Sequence, residues 1–203
     1  PIGKLGRKAA EGMNALGWHW WPGTQAIASR PYRGRSQCTR RATCMLGCPE
    51  QAKASTDLTH WPDAIAHGAR LVTGARVREV TLDAKGRANG AVYIDREGRE
   101  HYQPARIVLV CCNGVGTPRL LRLSAGGRHP NGLANRSGLV GRNLMMHPWA
   151  GAVGYFDEPL ESWLGPNGHR IQSMQFYETD SSRGFVRGAR GIRVHSASGR
   201  GPE

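Results

Sequence analysis

Residues 107–121 read IVLVCCNGVGTPRLL. Ile107 to Cys112 form an unbroken apolar run, the pattern of a strand covered on both faces rather than one half exposed to water. Gly114 and Gly116 let the chain turn tightly straight after it. Thr117 is placed to cap a helix, and Pro118 suits a first helical position, where a missing N–H leaves no bond unmade. Strand, glycine turn and helix start make a corner at which unpaired N–H groups and the helix dipole favour an anion. The corner is generic: Gly-Val-Gly lacks the third glycine and the later acidic residue of a full dinucleotide fingerprint.

Upstream, short β-rich runs are expected at Leu71 to Thr73, Val77 to Leu82 and Gly90 to Asp95. Asp83-Ala84-Lys85-Gly86 and Arg96-Glu97-Gly98 have hairpin-turn chemistry, and the alternation in VREVTL and AVYID points to half-buried antiparallel strands. Further upstream, Leu5, Ala9, Met13 and Leu16 have the spacing of one helix face between Gly3 and Leu16. Trp18, Trp20 and Trp21 follow and are expected to pack against the loop-rich residues 24–55. Thr56 or Asp57 is placed to cap one helix running through Ile65 and closing near Gly68. Residues 151–185 read as mixed β-like sequence, and 187–203 lose periodicity and read as a disordered tail. No internal repeat stands out.

With 203 residues and 39% hydrophobic content, the chain has material for a real core. Its formal net charge of +13 invites a nucleic-acid reading. Against it, the arginines are dispersed and no recognition helix or aromatic RNA-binding signature accompanies them. No run of about 18 apolar residues occurs. The chain starts at Pro1, so localisation stays open between cytoplasmic, periplasmic and membrane-peripheral.

Three of the five cysteines crowd into residues 36–53, SQCTRRATCMLGCPEQAK. Cys38, Cys44, Cys48 and Pro49 fit the ferredoxin run C-x2-C-x2-C-x3-C-P, but Arg41 stands at the remaining ligand position. Two readings stay open: a metal site held by Cys38, Cys44 and Cys48, or small residues that pack like hydrophobes. Zinc would want a fourth ligand, and His60 is the nearest histidine downstream. Cys111 and Cys112 belong to the apolar run and read as structural.

Four segments together, CMLGCPEQAKAST at 44–56, HGARLVTGARVREV at 67–80, VLVCCNGVGTPRLLRLSAGG at 108–127 and SGLVGRNLMMHP at 137–148, resemble the glucose–methanol–choline (GMC) oxidoreductases. They look most like bacterial FAD-dependent alcohol or sugar dehydrogenases, gluconate- or glucose-type, with a cysteine loop. The likeness covers roughly residues 30–186 and departs from the usual TP-x-L-L-x-x-S-G-x-G at Ala125. It implies an α/β fold: part of a Rossmann-like FAD-binding domain with an antiparallel β-meander, then the start of an antiparallel-sheet substrate domain. The corresponding division is 1–34 for the N-terminal helix and aromatic loop, 35–148 for the FAD-binding portion, 149–186 for the substrate-domain start, and 187–203 for the tail.

The resemblance further implies that the backbone of Val77 meets the adenine and that Asn113, Gly114 and Thr117 lie near the dinucleotide. Members pass hydride from a CH–OH group to flavin while a histidine takes the hydroxyl proton. That base is expected beyond residue 203 and the GxGxxG element before residue 1, so the chain reads as an internal piece, inactive alone. Some sugar dehydrogenases of the family carry a [3Fe-4S] cluster on a Cys-x5-Cys-x3-Cys-Pro loop, which Cys38, Cys44 and Cys48 match. Arg41 is compatible with such a cluster and would raise its potential. A cluster would favour a dehydrogenase handing electrons to a protein or quinone. His147 is expected to fix its loop, and Lys53 to reach flavin, phosphate or solvent. An iron–sulfur electron-transfer module is the alternative function, and a basic nucleic-acid binder a remote one.

Overall fold

A computed structural model describes residues 2–146, 151–161, 163–166 and 171–175. His147 and most of the expected substrate-domain start and tail lie outside these residues. The chain divides into two compact units, residues 1–69 with 153–203, and residues 70–152.

In the first unit, helix α1 spans Lys4–Ala15. Its buried stripe is Gly6, Ala10 and Met13, one step round from the expected face, and Leu16 is exposed. Ala10 and Met13 form a small core with Ile171, flanked by Ile2, Ala9, Trp18 and Trp20. Trp18 and Trp20 therefore pack beside α1, against the Ala10, Met13 and Ile171 core. The helix stops in a Schellman motif: Gly17 takes φ 67°, Trp18 N–H reaches Met13 O at 2.9 Å, and Gly17 N–H reaches Asn14 O at 3.0 Å. Strand β1, Trp21–Pro22, pairs antiparallel with Ile171–Gln172.

The one helix expected from a cap at Thr56 or Asp57 is two helices, α2 (Thr56–Thr59), whose N-cap position is Ser55, and α3 (Trp61–Ala66). Pro62 explains the break, since it has no N–H to return to the preceding turn and its ring crowds that turn's carbonyl.

In the second unit, strands β2 (Arg76–Leu82), β3 (Ala88–Ile94) and β4 (Glu100–Pro104) form an antiparallel meander in the order β2-β3-β4. The two hairpins are closed by the same device. Asp83 Oδ1 accepts the N–H groups of Lys85 and Arg87 at 2.9 and 2.8 Å, and Arg87 Nε donates to Asp83 Oδ2 at 3.0 Å. Asp95 does likewise with Glu97 N, Arg99 N and Arg99 Nε at 3.0, 2.9 and 2.9 Å. Gly86 and Gly98 both take φ 82°, the left-handed position that a three-residue hairpin loop requires. DAKGR and DREGR are thus a short repeat in sequence as well as in space.

Helix α4 spans Asn113–Leu123 and packs on β2. Val80, Leu120 and Leu133 form the core, with Leu82, Val108, Val110 and Leu121 around it. Ser124 ties the layers together at the end of α4. Its hydroxyl accepts from Val80 N–H at 2.9 Å and donates to Leu120 O at 2.8 Å, and the residue is 8% exposed.

Three expectations fail in this unit. Leu71 to Thr73 is not a strand, and β4, which carries no apolar alternation, is. Ile107 to Cys112 is not a strand among the described residues: Val108 and Val110 face the core, while Ile107 and Leu109 are 76% and 83% exposed. Such a run needs ladder partners and cover on both faces, and the described residues supply cover on one.

Candidate functional site

The helix start at residue 113 is built differently from its sequence reading. Asn113, not Thr117, caps it: Asn113 takes φ 57°, and its Oδ1 accepts from Val115 N–H at 2.9 Å and Gly116 N–H at 3.3 Å. An amide side chain tolerates that left-handed geometry and satisfies two of the donors that a helix start orphans. The cap therefore lies four residues earlier than expected, and Pro118 falls inside the helix. Thr117 Oγ1 turns back to accept from Cys112 N–H at 3.2 Å, which fixes the entering chain.

The amides of Asn113 and Gly114 find no partner among the described residues, and Asn113, Gly114 and Val115 are exposed. Because Asn113 turns its oxygen inward, its Nδ2 remains as a further donor. Gly116 allows the tight entry: a Cβ there would lie 2.9 Å from Cys112 Cβ. This is a cluster of exposed donors on the positive end of an eleven-residue helix, and it suits a phosphate or another anion. Val77 lies on β2, opposite Tyr93 and beside a register irregularity before Glu79. Strand β2, like β4, is an edge of the three-stranded sheet, so part of its backbone lies off the ladder. No hydrogen bond among the described residues links Val77 to the helix start. Asn113, Gly114 and Thr117 are therefore one local group, and Val77 is a separate position in the same unit.

The cysteine loop is a scaffold of backbone bonds. Ala28 N–H bonds Ala52 O, Cys38 N–H bonds Ala28 O, and Ala54 N–H bonds Ala26 O, at 2.7–2.9 Å. Arg33, Arg40, Ala42 and Gln51 take positive φ, an unusual density of left-handed residues other than glycine. Arg41 pairs with Glu50 at 2.9 Å, and Thr39 Oγ1 donates to the same carboxylate at 2.7 Å. The Thr39 bond, more than Arg41, holds the Glu50 carboxyl below its ordinary value. Arg40 reaches across to the 163–166 segment, its Nε donating to Gly165 O at 2.9 Å. Where a ferredoxin has its fourth thiolate, this chain has a clamp.

Cys38, Cys44 and Cys48 are half-buried and free of disulfides. Two of the sulfurs accept backbone N–H groups, Cys38 from Arg40 at 3.4 Å and Cys48 from Lys53 at 3.5 Å. Among the described residues no group of three or more His, Cys, Asp or Glu is disposed to hold a metal ion. The described residues thus lend no support to a [3Fe-4S] cluster on Cys38, Cys44 and Cys48. Cys111 and Cys112 are exposed rather than buried in a strand, for the reason given for their run.

Several polar residues of the described chain are structural. His101 stacks on Tyr93 at 5.1 Å between ring centroids, and its Nε2 lies 2.8 Å from Asp95 Oδ2. That bond, ahead of Arg99, drives the Asp95 carboxyl far below the usual carboxylate range. Asp83 is lowered too, chiefly by the Arg87 backbone N–H. His67 Nδ1 donates to Asp63 O at 2.7 Å. The signal for the Asp95 cluster was the repeated Asp-x-x-Gly-Arg.

Comparison with known proteins gives these positions a context. A sequence model of the GMC oxidoreductase family matches residues 8–149, more than half of the chain. The 2-methyl-1,2-propanediol dehydrogenase of Mycolicibacterium austroafricanum is 45% identical over 188 residues, 92% of this chain and 34% of that protein. The fructose dehydrogenase large subunit of Gluconobacter japonicus is 36% identical over 174 residues, 86% of this chain and 31% of that protein. Paromamine 6'-oxidase of Streptomyces fradiae is 35% identical over 157 residues, 76% of this chain and 29% of that protein. The chain spans about a third of the length of these relatives. With helices and antiparallel sheets in a mixed α/β arrangement and most of its length matched, the chain belongs to the GMC oxidoreductase family and carries part of that family's Rossmann-like N-terminal domain.

Proposed function

We propose that this chain is a portion of an FAD-dependent oxidoreductase acting on the CH–OH group of a small alcohol or sugar. The observation that carries the reading is the start of α4, where the amides of Asn113 and Gly114 and the Nδ2 of Asn113 form an exposed donor cluster. A flavin dinucleotide brings a diphosphate to such a cluster and supplies the hydride-accepting ring. Asn113 and Gly114 hold the anion, Thr117 fixes the chain entering the turn, and Val77 offers an edge-strand backbone to the adenine side. A polyol or sugar substrate is supported by the names of the diol and fructose dehydrogenases among the relatives. Both dehydrogenases and an oxidase are among the relatives; the acceptor proposed for this chain's protein is a protein or quinone if it is a dehydrogenase and oxygen if it is an oxidase.

No residue of this chain is assigned as the base, and the isolated chain is expected to reduce no dye with alcohol. The test is an FAD titration of the purified chain followed by flavin fluorescence. Saturable, weak binding is expected, and Asn113→Asp should weaken it about fivefold, the effect of about 1 kcal/mol of charge at a helix start. Binding that ignores Asn113→Asp, or no saturable binding at all, overturns the assignment of this corner.

A further inference from the structure

The sequence holds four Asn-Gly pairs, at residues 89–90, 113–114, 131–132 and 167–168, the last outside the described residues. Glycine leaves the following backbone nitrogen unshielded, so Asn-Gly is where an unconstrained chain cyclises most readily. We propose that Asn113 is a spontaneous modification site of the native protein, converting to aspartate and isoaspartate while Asn89 and Asn131 are held back by the fold.

The three described pairs differ in what holds them. Gly90 is buried in the central strand, opposite Thr81 on one side and Pro104 on the other. Asn89 Oδ1 accepts from Thr81 Oγ1 at 2.7 Å, and its carbonyl accepts from Ala105 N–H and the Tyr102 hydroxyl at 2.9 and 3.0 Å. Gly132 is buried, and its N–H donates to His129 O at 3.0 Å, while Asn131 O accepts from Asn135 Nδ2 at 2.8 Å. At 113–114 both residues are exposed, and the Gly114 N–H has no partner among the described residues. A Cβ on Gly114 would find only Leu144 Cδ1, at an ordinary 3.6 Å, so nothing crowds the nucleophile.

The two N–H bonds on Asn113 Oδ1 restrain its side chain as the Thr81 bond restrains Asn89, but they lie at a helix end, where such bonds open most easily. The Gly114 nitrogen attacks Asn113 Cγ. A C–N bond forms, the Cγ–Nδ2 bond breaks, and ammonia departs with the proton from the Gly114 amide. Solvent water then opens the succinimide at either carbonyl, with no change of oxidation state. The product carries a carboxylate at the helix start. That charge suits the helix dipole and opposes a bound phosphate, a consequence that rests on the flavin reading, whereas the conversion itself does not.

The test incubates the full chain at mildly alkaline pH, native and in denaturant, and maps tryptic peptides 88–96, 107–119 and 129–136 by mass. Unfolded, the three sites should convert at similar rates. Native Asn113 should stay within about threefold of its unfolded rate, with Asn89 and Asn131 slowed about tenfold or more, because protection scales with the free energy of local opening. Gly114→Ala, which the space allows, should slow Asn113 severalfold. Native conversion of Asn113 slowed as much as that of Asn89 and Asn131 would overturn the proposal.

Discussion

Replacing Ser124 by alanine should destabilise the 70–152 unit through one specific atom. The hydroxyl makes two bonds, but they are not equivalent. Leu120 O, which accepts from Ser124 Oγ, also accepts from Ser124 N–H at 3.0 Å, so it keeps a partner when the hydroxyl is gone. Val80 N–H donates to Ser124 Oγ and to no other side chain among the described residues, and Val80 is buried, with α4 packed on its strand. The loss is therefore that of one buried unpaired N–H, about 1–3 kcal/mol. In a unit of this size each kcal/mol lowers the melting temperature by roughly 4–8 °C. The assay is urea unfolding followed by far-ultraviolet circular dichroism, paired with hydrogen exchange at the Val80 amide. That amide should exchange about tenfold faster or more, while Ser124→Thr, which keeps the hydroxyl, should recover most of the loss. An alanine variant within about 0.5 kcal/mol of the parent, with Val80 exchange unchanged, would show that the bridge does not hold α4 to the sheet.

Gly90→Val should cost about 1–3 kcal/mol or prevent folding of the meander, since a Cβ at residue 90 would sit 2.5 Å from Gln103 O and 2.6 Å from the Tyr102 ring; an unchanged thermal midpoint would contradict this packing. Stability should fall as solutions are acidified. Asp83 and Asp95 have folded-state values below their unfolded ones, so their contribution is complete above the unfolded carboxylate value, near 3.9, and is lost as pH drops through the folded values. Asp95→Asn should flatten that slope, and an identical acid limb in parent and variant would refute it. Iron and sulfide analysis of anaerobically purified chain should find no stoichiometric cluster, and Cys44→Ser should leave the absorption spectrum unaltered. An iron-dependent EPR signal lost in that variant would mean that the sulfurs converge after all.

What was legible in the sequence is what local chemistry decides. The Asp83-to-Gly86 and Arg96-to-Gly98 loops placed both hairpin turns, and the spacing of Ala9, Met13 and their neighbours placed α1 within a residue or two. Strand β4 was not legible because EHYQP has no apolar alternation; it is a strand because Tyr102 covers Gly90 and its backbone completes the β3 ladder. The start of α4 was misplaced because Pro118 is a strong start signal, whereas an asparagine with positive φ that accepts the amides two and three residues ahead is visible only in space. The Asn113, Gly114 and Thr117 group was singled out through the glycine turn and the family likeness. The clamp of Arg41 and Thr39 on Glu50 depends on residues nine to eleven positions apart across a loop, which no periodicity encodes.

The twin aspartate–arginine turns bear on the order in which the chain acquires structure. Each hairpin is closed by bonds within a five-residue window, so its strand register is set before any distant segment is needed. Loop closure over so short a span is fast, and topologies dominated by such neighbours fold quickly. During synthesis the meander is complete by residue 104, ahead of the helix that will cover it. A sheet that carries its own registration in two turns is a transplantable unit: moved intact into another host, residues 76–104 should keep their strand pairing and lose only the cover that α4 provides.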